Sequence, residues 1–145
     1  MTRVVACPII LAVSPAPSAP HDEEEEARMN EVARSFEGPD KTLAFEHGSL
    51  ESVNVAGTGG ALIRMVMHPG WRWSTDLRTM VGTDTCQTRH VGYCLEGTLH
   101  VQLDDGVSYD INPGDAFVIP SGHDAWVLGD ATCTILDWGS MARAE

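Results

Sequence analysis

In the stretch TDTCQTRHVGYCLEG, residues 83–97, Cys86 and His90 stand with three residues between them, ahead of a strand-like run that ends at a glycine. A thiolate and an imidazole both ligate borderline-soft divalent ions. The same two residues also suit a plainer role, as a small and a polar side chain at the mouth of a β-barrel. Spacing alone does not choose between a metal centre and an ordinary barrel strand. The choice depends on what the rest of the chain places beside them.

From residue 40 onward the chain reads as short apolar runs cut by turn residues. The runs are TLAFE, LESVNV, ALIRMVM, HVGYCLE, TLHVQL, VSYDI, AFVIP, AWVL and TCTILDW, with GTGG, HPG, DDG, NPGD, SGHD and GD among the breaks. Turn signals about every eight to twelve residues predict an all-β sandwich or barrel. DDG between TLHVQL and VSYDI predicts a hairpin, because Asp-Gly accepts positive φ. NEVARSFEG predicts a short helix, with Asn30 as its cap and Gly38 as its stop. The expected organisation is therefore a tail with a short helix over 1–39 and a β-barrel domain over 40–145.

The chain has 145 residues, 43% of them hydrophobic, which suits one soluble domain with a single core. Its formal net charge is −12. The run Asp22–Glu26 makes the first 28 residues acidic and, like the Pro/Ser/Ala stretch before it, predicts a solvated, disordered segment. Eight arginines and one lysine form no basic patch, which argues against nucleic acid or an anionic membrane as partner. No apolar stretch is long enough to span a bilayer. Cys7, Cys86, Cys94 and Cys133 form no CxxC pair and no disulfide ladder, so reduced thiols in a cytoplasm are expected. MTRVVACPIILAV followed by SPAPSAP weakly imitates an export signal over residues 1–20. A start at Met29 is the other reading of that segment.

Residues 61–138 resemble a small bacterial cupin, a jelly-roll barrel also described as a double-stranded β-helix of RmlC-like type. GDAFVIPSGHDAWVLG supplies Gly114, Pro120 and Gly122 at the spacings of the family's second motif. Gly97 closes a first-motif stretch, and PGD at 113–115 is typical of the family. The resemblance implies a metal site, a small-molecule ligand and a homodimer to which residues 40–56 contribute a strand. The ligand positions depart from the family. His90 stands where a glutamate is usual, and Asp84 and Cys86 fall on the two first-motif histidine positions. Ala125 and Gly129 replace the second-motif histidine and asparagine. His123 lies two residues before Ala125, and residues two apart on a strand share a face.

The substituted set is therefore Cys86, His90 and His123, with Asp84 as a fourth candidate and Gln87 as a group that could orient a histidine. Such a set favours Zn²⁺, with iron or copper as alternatives, and leaves a coordination position open. Trp71, Trp73, Tyr93 and Trp126 are candidates for an aromatic-rimmed pocket, with Arg64 or Arg72 available to an anion. Two functions fit. One is a metal-dependent enzyme of the isomerase, cyclase, lyase or dioxygenase type, with Asp84 and Asp124 as acid–base candidates. The other is a non-enzymatic module that binds or senses a small ligand.

Overall fold

Each apolar run becomes a strand in the computed structural model, which describes residue 23 and residues 32–139. The strands are β1 (Lys41–Phe45), β2 (Gly48–Val55), β3 (Gly60–Met67), β4 (His90–Glu96), β5 (Thr98–Leu103), β6 (Ser108–Ile111), β7 (Ala116–Ile119), β8 (His123–Leu128) and β9 (Cys133–Asp137). They form an antiparallel six-stranded sheet in the order β1-β2-β3-β9-β4-β7 and a three-stranded sheet in the order β6-β5-β8. The chain changes sheet at each turn after β4, β6, β7 and β8, which is the alternation of a jelly roll. The predicted hairpin is formed: β5 and β6 pair through Leu99↔Ile111 and Val101↔Tyr109, and Gly106 takes φ 92°.

Strand parity builds the core. Met65 and Met67 of β3, Cys94 of β4, Leu99 and Val101 of β5, Ala125 and Val127 of β8, and Cys133 and Ile135 of β9 all face the space between the sheets. Between β3 and β4 lie two short helices, α1 (Trp73–Asp76) and α2 (Arg78–Val81). They bury Trp73 and Leu77, and α2 stops at Gly82, whose φ is 84°. Four-residue spacing of Trp73, Leu77 and Val81 is the helical signal in this stretch.

Two expectations near the start of the chain meet the structure differently. The helix expected over NEVARSFEG does not continue past Val32 among the described residues. Val32 has helical geometry, residues 33–35 have no regular structure, and Phe36 and Glu37 form a turn; Asn30 and Glu31 lie outside the described residues. Tertiary contacts compete with helix here. Arg34 pairs with Asp40 at 2.9 Å, Asp40 accepts from the Asn54 N–H, and the Arg64 guanidinium lies 4.7 Å from the Phe36 ring centroid. The expectations for residues 1–22 and 24–31 fall outside the described residues. No helix among the described residues is long and apolar enough to cross a membrane.

One glycine controls the seam of the large sheet. A Cβ on Gly92 of β4 would lie 2.0 Å from the Leu136 carbonyl oxygen and 2.6 Å from Phe117. The first of these neighbours is backbone and cannot turn aside. Gly92→Ala is therefore expected to destabilise the fold by about 1–3 kcal/mol, the usual cost of overpacking a filled site. Urea unfolding of the variant checks this, and an unchanged midpoint would contradict the packing described.

Candidate metal centre

Cys86 lies in the loop before β4, yet its backbone is paired. Cys86 and His123 form an isolated antiparallel bridge, with the Cys86 N–H donating to the His123 carbonyl at 2.8 Å. Gly122 makes that approach available with φ 86°, and a Cβ there would meet the Asp104 carboxylate at 2.6 Å. The bridge holds the loop against the first residue of β8. His90 opens β4 in the opposite sheet, in register with Ile119. The Cys86 Sγ stands 3.5 Å from His90 Nε2, and the two imidazole rings are 5.2 Å apart at 71°. One ligand atom from each of Cys86, His90 and His123 lies within 4.8 Å of the others.

Each histidine has its far nitrogen occupied. His123 Nδ1 is 2.7 Å from the Pro120 carbonyl, which can only accept, so Nδ1 donates there and Nε2 is the nitrogen left to face the cluster. His90 Nδ1 donates to Asp137 Oδ2 at 2.5 Å. Asp137 is itself held by the Gly139 N–H at 2.8 Å and faces inward from the end of β9. Supporting contacts of this kind set the tautomer and orientation of metal-binding histidines.

Burial and pairing oppose one another at this cluster, and pairing wins. Burial pushes the Cys86 thiol up, but hydrogen bonds with His123, His90 and the Thr88 backbone bring it down to about 6. Burial pushes His90 down, but hydrogen bonds and charge from Asp137 and Cys86 raise it to about 9. Without a metal, the pair between these values is a thiolate facing an imidazolium. By contrast, burial raises the Cys133 thiol to about 12 and raises Cys94 as well; both are packed in the core.

Beside the cluster is a cavity of roughly 160 Å³ lined by Met65, Met67, Trp71, Trp73, Leu77, Val81, Thr88, Leu99, Ile119, Ala125 and Ile135, together with Cys86, His90 and His123. Trp71 and Trp73, two of the aromatic candidates, are among the residues that line this cavity. Three other pocket candidates lie elsewhere, each for the same reason of strand parity. Arg64 shares β3 with Met65 but points to the opposite face, where its Nε donates to Glu51 at 2.9 Å. Tyr93 alternates with buried Gly92 and Cys94 and is 38% exposed. Trp126 alternates with Ala125 and Val127 and stacks outside the barrel on His100 and Arg72.

Asp84 also departs from the expectation. It lies in a bend rather than a strand, so two-residue spacing does not align it with Cys86. Its side chain is 93% exposed and pairs with Arg78. Gln87 bonds to Thr85 and Ser121, and Asp124 to Arg72 and Ser74. Asp137 is the functional group that sequence reading missed. Its signal was an acid on the core face of TCTILDW, in step with Cys133 and Ile135.

Residues 85–139 match the family model described as a cupin domain. No curated protein matches the chain in sequence. An oxalate decarboxylase from Lactobacillus farciminis superposes with a TM-score of 0.53 at 23% identity, over 72% of this chain and 31% of that one. This chain therefore spans about a third of that protein. The polyketide cyclase RemF from Streptomyces resistomycificus superposes with a TM-score of 0.50 at 20% identity, over 72% of this chain and 75% of that one. A protein of unknown function from Vibrio parahaemolyticus gives 0.50 at 16% identity, over 67% and 95%.

The Cys86–His90 pair predicts a specific titration. In chelator-treated protein the thiolate absorbance should appear with a midpoint near pH 6, because the folded thiol releases its proton there. Asp137→Asn removes a charge that favours His90 in its protonated form, so the midpoint should move upward. Cys86→Ser should abolish the transition. A midpoint in the ordinary thiol range in the wild type would refute the ion pair. With the family model on residues 85–139 and the two facing sheets together, the chain has the cupin fold.

Proposed function

We propose that the chain binds one divalent metal ion on Cys86, His90 and His123, zinc before iron or copper, and takes a small organic molecule into the apolar barrel beside it. The reading is that of a metal-dependent enzyme of the isomerase, cyclase, lyase or dioxygenase type. The observation that carries it is the convergence of three soft ligand atoms within 4.8 Å at the edge of an apolar cavity. The donor set fits. A tetrahedral zinc with Zn–S about 2.3 Å and Zn–N about 2.0–2.1 Å holds sulfur and nitrogen about 3.5 Å apart. Cys86 Sγ and His90 Nε2 already have that separation, 3.5 Å.

When bound, such an ion supplies Lewis acidity, and three protein ligands leave a position for substrate or water. Asp137 holds His90 in the tautomer that presents Nε2, and the Pro120 carbonyl does the same for His123. The apolar walls exclude bulk water and strengthen each polar contact made inside.

Metal uptake has a proton signature. Between about pH 6 and about pH 9, the metal-free pair is thiolate and imidazolium, so ligation must release the His90 proton. Below about pH 6 the Cys86 proton must leave as well, and above about pH 9 neither of the two residues has one to release. Calorimetry in buffers of different ionisation enthalpy counts these protons, with elemental analysis of the purified protein alongside. Cys86→Ser and His90→Ala should each lose stoichiometric metal. Wild type that neither carries metal nor binds it at micromolar concentration would end the metalloenzyme reading; full metal in both variants would end the ligand assignment.

A specific observation favours a second reading, a non-enzymatic ligand-binding or sensing cupin. Asp84 and Asp124 are turned away, and no carboxylate is among the described residues that line the cavity. Ligand retained unchanged by metal-loaded protein supports this reading, and turnover excludes it. Either reading includes a homodimer. The edge strand β1, with Leu43 43% exposed, is the proposed pairing edge. Light scattering should give twice the mass of the chain, and Leu43→Lys should shift the population to monomer; a monomeric wild type overturns this.

A further inference from the structure

Strands β4 and β7 are apolar on both faces. Their inner sides pack into the barrel through Cys94, Phe117 and Ile119. Where an antiparallel sheet meets water, the outer side is ordinarily polar. On β5 and β6 it is, with Thr98, His100 and Gln102 on one strand and Ser108 and Asp110 on the other. On β4 and β7 the outer residues are Val91, Tyr93, Leu95, Ala116 and Val118. Continuous apolar runs of this kind belong to strands covered on both sides.

Register joins these residues into one patch. Val91 lies opposite Val118, and Tyr93 lies between Ala116 on β7 and Leu136 on β9. None of the six is charged. Tyr93, Leu95 and Val118 are 38%, 48% and 53% exposed, so the described residues leave them open. A contiguous exposed apolar patch marks a surface that another group covers.

The way the chain enters the fold identifies that group. Phe36 lies 4.7 Å from the Arg64 guanidinium, and Arg64 stands opposite Leu136 across β3 and β9 on this same outer face. The chain ahead of Phe36 therefore arrives about two strand spacings, about 10 Å, from Tyr93. Residues 4–13, VVACPIILAV, lie outside the described residues and contain no charged side chain. Residues 14–35 connect that stretch to Phe36, and at up to about 3.3 Å per residue they reach well beyond the distance required. The acidic run Asp22–Glu26 falls in the connection and not in the apolar stretch. A tether of this kind keeps the stretch near the patch at roughly millimolar effective concentration, which a second copy of the chain does not reach in micromolar protein.

We propose that residues 4–13 pack in cis on the outer face of β4 and β7, against Val91, Tyr93, Leu95 and Val118. This contact is independent of the metal and of the cavity inside the barrel.

Hydrogen exchange on the full-length chain tests it. Amides of residues 4–13 should exchange at least about tenfold more slowly than in a free peptide of the same sequence, because they exchange only when the stretch lifts from the sheet. Val118→Asp and Ile10→Asp should each return them to the free-peptide rate. Ile10→Asp lies outside the barrel, so it keeps the test open where Val118→Asp fails to fold. In the wild type, methyl groups of Ile9, Ile10 and Leu11 should show nuclear Overhauser contacts with those of Leu95 and Val118. In a refolded mixture of isotope-labelled and unlabelled chains, these contacts should stay within one chain. Free-peptide exchange in the wild type overturns the proposal. Contacts that pass between chains also overturn it and assign the face to a second copy. Native protein whose intact mass lacks residues 4–13 overturns it as well.

Discussion

The backbone pairing of Cys86 with His123 is the constraint on which the site depends. The Cys86 carbonyl also accepts from the Gly122 N–H at 2.8 Å, so the loop is pinned on both sides of one residue. Cys86 itself lies outside the named strands. Without this pairing it would sit in a stretch free to swing away from β8. With it, the thiol faces His123, and the chain has only a few residues in which to reach β4. His90 then enters from the other sheet. The cluster is assembled across the barrel, so its geometry follows from closure of the barrel and not from any local motif.

That arrangement places ionisable groups where water is scarce, and the surrounding contacts show how the cost is met. An unpaired thiolate or imidazolium among methionine, leucine and tryptophan side chains would be strongly disfavoured. Here they face each other, and the Asp137 carboxylate from β9 stands behind the imidazole at 2.5 Å. The run of partners crosses from β9 through β4 to the loop. His123 is satisfied separately, by the carbonyl of Pro120 at the end of β7. Because each partner comes from a different strand or loop, the polar cluster and the sheet packing support one another. The buried thiols Cys94 and Cys133 provide the contrast within the same protein. Lacking a cationic partner, they are pushed toward the protonated form and behave as core side chains.

The strands were legible because their turns are marked by Gly, Pro, Asp and Asn and their interiors alternate. The DDG hairpin and the facing of His123 with Ala125 follow from those two facts. Parity applied to one strand at a time also explains the misplaced pocket candidates. Arg64, Tyr93 and Trp126 each stand one residue from a core-facing position, and one residue on a strand reverses the side chain. They were grouped by chemistry and proximity in sequence, which do not determine the face. Asp84 failed differently, because a bend carries no two-residue period. The short helices before β4 were hidden by aromatic residues that suit strands equally well. Asp137 was readable only as an acid at an inward position, a weak signal until β9 is known to lie beside β4.

Trp71 and Trp73 were placed beside the cluster because an extended Arg72 between them sends its own side chain the other way. Outside, Arg72 donates to Asp124 at 2.9 Å and lies 4.3 Å from the Trp126 ring centroid, while Trp126 stacks on His100 at 4.5 Å. Asp124 also accepts from the Ser74 N–H at the start of the short helix. The segment is thereby fastened to β8 from the solvent side, with the Val127 N–H donating to the Trp71 carbonyl. Residues that line no pocket therefore fix two of its walls. Exposed ion pairs alone contribute little to stability, but a guanidinium held by stacking and by a carboxylate together loses its freedom to reorient. A wall fixed in this way cannot expand to fit a larger guest without dismantling the outer stack. The size of the cavity is therefore a property of the β8 edge as much as of the side chains that face inward.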